Sequence, residues 1–309
     1  MKRMQLNQQI ITFYDGCEMY LENCRERNLR KATINHYQNS YKQMYKYFSP
    51  DTPIDEITAE VYNGYVVFLK ERLNNDVSIN AYLRDLITTL RFLMKGDYMP
   101  SFKMQSIKVD KPPVETYTDD ELKILLKKPN VKKCGFIEYE AWTISCLLFS
   151  TGIRQHSLME LKIKDLDIDH ALLNVRVTKT RKPLMIPLNR SMLHILKDFL
   201  KYRQYKTNDD WLFCNVYGCQ LKKSTCYHMM YDYNKRRGVE TTGIHRYRHT
   251  FAKQWILNGG NVVALSRLLG HSNLSTTQNY INLLVSDLAT QVNEIDLINQ
   301  FANRKQREC

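Results

Sequence analysis

A chain of 309 residues with 43% apolar content is long enough for two domains with ordinary cores. Its formal net charge of +13 points to a polyanionic partner. No apolar run approaches the roughly 20 residues of a membrane span, and the N-terminus lacks a signal-peptide apolar stretch. A cytoplasmic protein with no membrane partner is expected.

The charge is uneven. Residues 1–100 carry 13 Lys+Arg against 12 Asp+Glu, which leaves 32 against 20 for residues 101–309, a net of +12 there. A phosphate-binding surface is therefore expected in the C-terminal two thirds; simple solubility is the competing account of the same charge. The eight cysteines read as reduced thiols. Cys214, Cys219, Cys226 and His228 lie close in sequence but lack the paired CxxC of zinc sites, so core or surface thiols are expected and no metal.

In chain order, Leu6, Ile10, Phe13, Cys17, Tyr20 and Cys24 recur at spacings of four and three, one apolar helical stripe over residues 6–24. Ile34, Tyr37, Tyr41, Met44 and Phe48 repeat the pattern, as do Ile57, Val61, Tyr65, Phe68 and Leu69, and then Ile79, Tyr82, Leu86, Leu90 and Leu93. Four such helices make an all-α domain over residues 1–100. Their tyrosines could stack on bases, but this spacing favours the core. Residues 101–117, with Lys111-Pro112-Pro113, read as an extended linker. Thr118 and Glu121 form a capping-box signature, so a second domain begins at residue 118 and runs to 309. It is expected to be largely helical with one strand pair. Leu173, Val175 and Val177 alternate with polar residues, residues 178–183 supply a turn, and residues 184–188 return. Helical patterns resume near Ser191, Thr225, Arg248, Val262 and Thr276.

Five short stretches of the second domain carry chemical groups. They are Thr151-Gly152-Ile153-Arg154, Lys179 at the first strand's end on the parity of its apolar residues, His245-Arg246-Tyr247-Arg248-His249-Thr250, Leu269-Gly270-His271-Ser272, and Thr276-Thr277-Gln278-Asn279-Tyr280. Each alone has a bland account: a solvated arginine, a packed tyrosine, a glycine C-cap. Their order is what informs. The set resembles the signature of the tyrosine recombinases, or phage integrase family: an arginine in TGxR, a hairpin lysine, an HxxR box, a GH pair and a downstream tyrosine. The match falls on Arg154, Lys179, His245, Arg248, His271 and Tyr280. The resemblance implies a mainly α fold with a small β-sheet, made of an all-α core-binding domain and an α+β catalytic domain.

Three positions depart from the family pattern. Ser157 stands where many members carry a glutamate, Tyr247 replaces the leucine of HxLRHT, and Thr178 and Thr180 replace glycines flanking the lysine. The first leaves open how Arg154 is buttressed. The length also implies no extra N-terminal arm-binding domain.

The resemblance further implies strand cleavage by transesterification. Tyr280 would attack phosphorus, forming a 3′-phosphotyrosine and releasing a 5′-hydroxyl. Arg154 and Arg248 would bind the non-bridging oxygens with planar geometry. His271 would donate to the same oxygens, His245 would accept or position the phenolic proton, and Lys179 would protonate the leaving oxygen. No cofactor is expected, since no Walker A motif or carboxylate cluster accompanies these residues. Expected partners are double-stranded DNA with inverted-repeat core sites, sister subunits of a homotetramer on DNA, and accessory directionality proteins. Leu284, Leu288, Val292, Ile295, Leu297, Ile298 and Phe301 give the tail an apolar face for docking on a neighbour, or on its own domain. Two alternatives stay open: a type IB topoisomerase-like strand transferase, and a catalytically silent DNA-binding protein of the same fold.

Overall fold

The structure, a computed structural model, describes residues 10–109, 114–178 and 182–271. Leu6, the Lys111-Pro112-Pro113 run, Lys179, Thr180, Tyr280 and the whole tail lie outside the described residues. The chain divides into two compact units, residues 1–111 and 112–309.

The first unit is all-α: α1 (Phe13–Glu26), α2 (Lys31–Met44), α3 (Ala59–Arg72) and α4 (Asp76–Lys95). Side-chain caps set three of the four starts. The Thr12 hydroxyl accepts from the Asp15 amide at 3.1 Å while the Asp15 carboxylate accepts from the Thr12 amide at 3.0 Å. That capping box starts α1 at Phe13, so Ile10 precedes the helix and is 70% exposed instead of joining the stripe. Thr58 and Asn75 cap α3 and α4. The tyrosines at stripe positions do go inward. Tyr20, Tyr41 and Tyr65 are buried, and Tyr41 shares a 2.8 Å hydrogen bond with Thr89. The stretch after α4 is extended but not free: Tyr62 donates to the Gln105 carbonyl, and the Asn80 amide both donates to and accepts from the Ile107 backbone.

The second unit surrounds α6 (Phe136–Thr151), which is buried along nearly its whole length and packs against α8 (Arg190–Tyr202), α9 (Lys223–Arg236) and α10 (Ile244–Leu257). Before it lies α5 (Asp119–Leu125), opened by the expected Thr118–Glu121 capping box. After it come α7 (Gln155–Met159) and the sheet; α11 (Val262–Leu268) follows α10. The sheet has three antiparallel strands in the order β1 (Leu166–Asp167), β2 (Leu172–Val175), β3 (Leu184–Pro187). Register pairs Leu173 with Ile186 and Val175 with Leu184. Two corrections to the sequence reading follow. A third strand, β1, adds to the expected pair; at two residues it is too short to show periodicity. The alternation also stops at Val175. Val177 is 37% exposed and Thr178 is buried, its hydroxyl donating to the Lys182 carbonyl at 2.7 Å to close the turn.

Buried polar groups tie the helices together. On α10, Tyr247 is 1% exposed; its hydroxyl donates to Ser145 at 3.0 Å, and its ring lies 4.6 Å from that of Tyr117. Asn234 on α9 donates to the Tyr117 hydroxyl and the Thr241 carbonyl. The hydroxyl that replaces the family's leucine thus has a buried partner. Glu140 on α6 accepts from the Cys214 amide at 2.9 Å, while its second carboxylate oxygen has no hydrogen-bond partner among the described residues. Burial pushes the Glu140 carboxyl from 4.5 to about 7, against the lowering pull of the Cys214 amide and Arg203. Because the folded value lies above the unfolded one, the resulting stability is fully present below pH 4.5 and is lost as pH rises through about 7. Glu140→Gln should therefore show a flatter dependence of unfolding midpoint on pH, with the variant gaining on the wild type between about pH 4.5 and 7. Parallel curves in urea titrations at those pH values would exclude Glu140 as the titrating group.

Candidate active site

The site is assembled from three chain reversals. Gly152 ends α6 in the left-handed region at φ 60°. A Cβ there would lie 2.6 Å from Phe251 and 2.7 Å from Leu269, so glycine is required by both conformation and space. The turn delivers Arg154 to the start of α7. Gly243 allows α10 to begin at Ile244, which puts His245 and Arg248 one turn apart on the same helix. Gly270, with φ 59°, turns the chain after α11 and presents His271.

Both guanidiniums converge on the end of α11. Arg154 donates to the Leu269 carbonyl at 3.0 Å and to the Gly270 carbonyl at 3.4 Å. Arg248 is 5% exposed and donates to the Gly152 carbonyl at 2.6 Å, to the same Leu269 carbonyl at 2.8 Å, and to His271 Nε2 at 2.8 Å. The carbonyls at a helix C-terminus lack intrahelical donors and carry the negative end of the helix dipole, so they suit two cations. This is how Arg154 is held where the family's glutamate is absent. Ser157 instead donates to the Val177 carbonyl at 2.8 Å, bracing the sheet edge.

Arg248 can only donate, so His271 Nε2 accepts and the neutral ring carries its proton on Nδ1. Burial, then the positive charges of Arg248 and Arg154, pushes the His271 imidazole down to about 4. His245 is likewise held below the ordinary histidine value, first by desolvation and then by Arg248, Lys223 and Arg154. Both rings are therefore neutral at physiological pH.

A cleft of about 540 Å³ opens over these groups, and Arg154, Arg248 and His271 all line it. His245 is not in its lining; it joins the site through its place on α10 and its electrostatic coupling to the arginines. Lys179 and Tyr280 lie outside the described residues. Lys182 is exposed but does line the cleft, together with Thr178. Sequence reasoning missed the main-chain acceptors of Gly152, Leu269 and Gly270, because carbonyls carry no sequence signal; the glycines beside them were the available hint. The thiols and imidazole weighed for zinc do not cluster. Cys226 is buried with its thiol pushed up to about 11, Cys219 is exposed, and among the described residues no group of three His, Cys, Asp or Glu could hold a metal ion.

An α+β unit that gathers two arginines and a histidine at one cleft follows an all-α unit in the chain. Residues 115–286 match the phage integrase family and residues 12–109 match the phage integrase SAM-like domain. The chain belongs to the phage integrase family of tyrosine recombinases, and is an enzyme of that class. It is 30% identical over 239 residues to the tyrosine recombinase XerA of Thermococcus onnurineus, covering 75% of this chain and 80% of that one. With the tyrosine recombinase XerD of Staphylococcus aureus the identity is 25% over 279 residues, 87% of this chain and 94% of that one. The fold is similar to that of a Tn1549 transposon integrase in complex with transposon right end DNA, with TM-score 0.75 at 20% identity over 90% of this chain and 99% of that one. It is also similar to a lambda integrase dimer bound to a core site, with TM-score 0.70 at 19% identity over 87% of this chain and 95% of that one.

The electrostatic account of His271 can be tested directly. In ¹H–¹⁵N spectra of the imidazoles, His271 should stay neutral with Nδ1 protonated until pH falls to about 4. Arg154→Gln should move its titration upward, because one of the two cations holding it down is gone. An unmoved titration would leave burial and Arg248 as the causes.

Proposed function

We propose that this protein is a site-specific recombinase acting through a 3′-phosphotyrosine intermediate. The observation that supports it most is the pair of guanidiniums sharing the Leu269 carbonyl beneath a cleft that also exposes His271. Two like charges are held together by protein acceptors before any phosphate arrives. A phosphorane-like transition state gathers negative charge on its non-bridging oxygens, and a preset pair of arginines meets that charge without reorganising. In this reading the Tyr280 phenol attacks phosphorus, a P–O bond to the tyrosine forms, and the bond to the 5′ oxygen breaks. His245, neutral at physiological pH, takes or positions the phenolic proton. His271 donates through Nδ1 while Nε2 stays on Arg248. Lys179 protonates the departing oxygen. Attack by a 5′-hydroxyl on the phosphotyrosine reverses the sequence, so the bond energy is retained and no ATP is needed.

The proposed substrate is duplex DNA with inverted-repeat core sites, bound through the core-binding domain of residues 1–100 and the catalytic domain of residues 118–309, joined at residues 101–117. Complexes of the similar integrases with DNA support that partner. Four copies would assemble on two sites through the tail beyond residue 284, in the cytoplasm, for integration or excision of a mobile element or for resolution of DNA dimers. Accessory directionality proteins would choose the direction.

Tyr280→Phe should abolish covalent attachment to a duplex nicked beside the cleavage site while leaving DNA affinity nearly unchanged. Persistent adducts in that variant would remove Tyr280 from its role. The general acid is separable from its neighbour by leaving-group chemistry. Lys179→Ala should cleave ordinary DNA at least about a hundredfold more slowly and recover much of that loss on DNA with sulfur at the 5′ bridging position, because a thiolate leaves without a proton. Lys182, which lines the cleft, makes the necessary comparison. Rescue of Lys182→Ala and not of Lys179→Ala would exchange their assignments.

A further inference from the structure

Two packed helices ordinarily face each other with apolar side chains. Along one seam between α2 and α4 they do not. Asn39, Ser40 and Gln43 come from α2, and Ser78, Tyr82 and Asp85 come from α4, each set at spacings of three and four on one helix face. They line a cavity of about 270 Å³, where Ala81 leaves space by having almost no side chain. Two of these polar groups are deeply buried. Ser40 is 3% exposed and Asp85 7%, and neither Ser40 Oγ nor Asp85 Oδ2 has a hydrogen-bond partner among the described residues. A buried carboxylate oxygen without a donor is costly, and an unanswered hydroxyl in the same cavity adds to the cost. His36 does not satisfy them. Its Nε2 stands 2.9 Å from Asp85 Oδ2 but out of line for a hydrogen bond, on an imidazole that is 59% exposed and charged only when protonated. No lysine or arginine lines the cavity among the described residues. One carboxylate and one imidazole also leave a divalent metal short of ligands, and no group of three His, Cys, Asp or Glu is present among the described residues.

We propose that this cavity binds a short aliphatic diamine, with one primary ammonium group held by Asp85 and Ser40. An ammonium carries three donors and no acceptor, so it answers the carboxylate with charge and the hydroxyl with a hydrogen bond. The volume lies just below the roughly 300–1,000 Å³ of drug-sized ligand sites and far above the space of one water. That suits a chain of a few carbons between two nitrogens. The carboxamides of Asn39 and Gln43 offer carbonyl oxygens to the second ammonium, and Tyr82 gives the chain an aromatic wall. A bound diamine bridges α2 and α4, and so stabilises the first unit by mass action. The inference stands apart from the recombinase reading, since it concerns neither DNA nor strand cleavage.

The test titrates the full-length chain with diaminobutane by calorimetry at constant ionic strength, with ¹H–¹⁵N amide spectra recorded in parallel. The wild type should bind one equivalent saturably, and the amides of Ser40, Ala81 and Asp85 should shift together. Asp85→Asn keeps the shape and removes the charge, and should bind at least about tenfold more weakly. Ala81→Leu fills the cavity from a half-buried position and should abolish binding; it keeps the test decisive should Asp85→Asn fold poorly. Butanediol, of the same length but uncharged, should not bind. The amide of Nα-acetyl-lysine should bind less well than the diamine, since it lacks the second ammonium. Tighter binding of that probe overturns the free diamine in favour of a lysine side chain from another protein. Unchanged diamine affinity in Asp85→Asn, or equal uptake of butanediol, overturns the assignment. So does a wild type with no saturable binding, because water alone then fills the cavity.

Discussion

Two positive charges must be held within reach of one carbonyl, and the second unit is organised around that requirement. Arg248 is almost wholly buried, and a buried guanidinium without acceptors would cost several kcal/mol. Its acceptors come from two places far apart in sequence: Gly152 at the end of α6, and Leu269 with His271 at the end of α11. Charge-assisted hydrogen bonds contribute about 1.5–3 kcal/mol each, so these bonds fasten α6, α10 and α11 to one another at the point where chemistry is expected. The left-handed glycines at 152 and 270 follow from it, because each lets the chain turn where the arginines need its neighbours.

The same constraint sets the protonation states. A histidine that is partly buried, and that also faces two guanidiniums, cannot readily accept a third positive charge. His271 therefore serves as a neutral donor and acceptor across the physiological range, and His245 keeps a lone pair with which to take a proton. Farther back, the Tyr247–Ser145 and Tyr247–Asn234 hydrogen bonds align α10 with α6 and α9, so the helix carrying both His245 and Arg248 has polar contacts of defined geometry behind it.

Much of this was legible in the sequence. The four N-terminal helices were readable because each buries a stripe at helical spacing, and the capping residues Thr118 and Glu121 announced α5. The start of α1 was misplaced because Ile10 continues the period while Thr12 ends it; a cap overrides periodicity when its hydrogen bonds close. The sheet was harder. β1 is too short to display a pattern, and the alternation through Leu173 and Val175 gave no warning that Thr178 would turn inward to hold the Lys182 carbonyl. That change of parity ends the inward series at Val175, so the assignment of Lys179 stands on the family motif. At the site, the titratable side chains were visible as an ordered motif, but the groups that grip Arg154 were not, since a main-chain carbonyl has no letter of its own.

Gripping an arginine by backbone has a consequence for how this protein can vary. A carboxylate buttress is one codon away from loss, and its disappearance strands the cation it served. The carbonyls of Leu269 and Gly270 persist through any side-chain replacement that preserves the turn. Selection on the clamp is thereby moved from the chemistry of residue 157 to the path of the chain after α11. Position 157 is left to brace the sheet edge through Ser157. The clamp is robust to substitution and sensitive to insertion, the reverse of a site built from side chains alone.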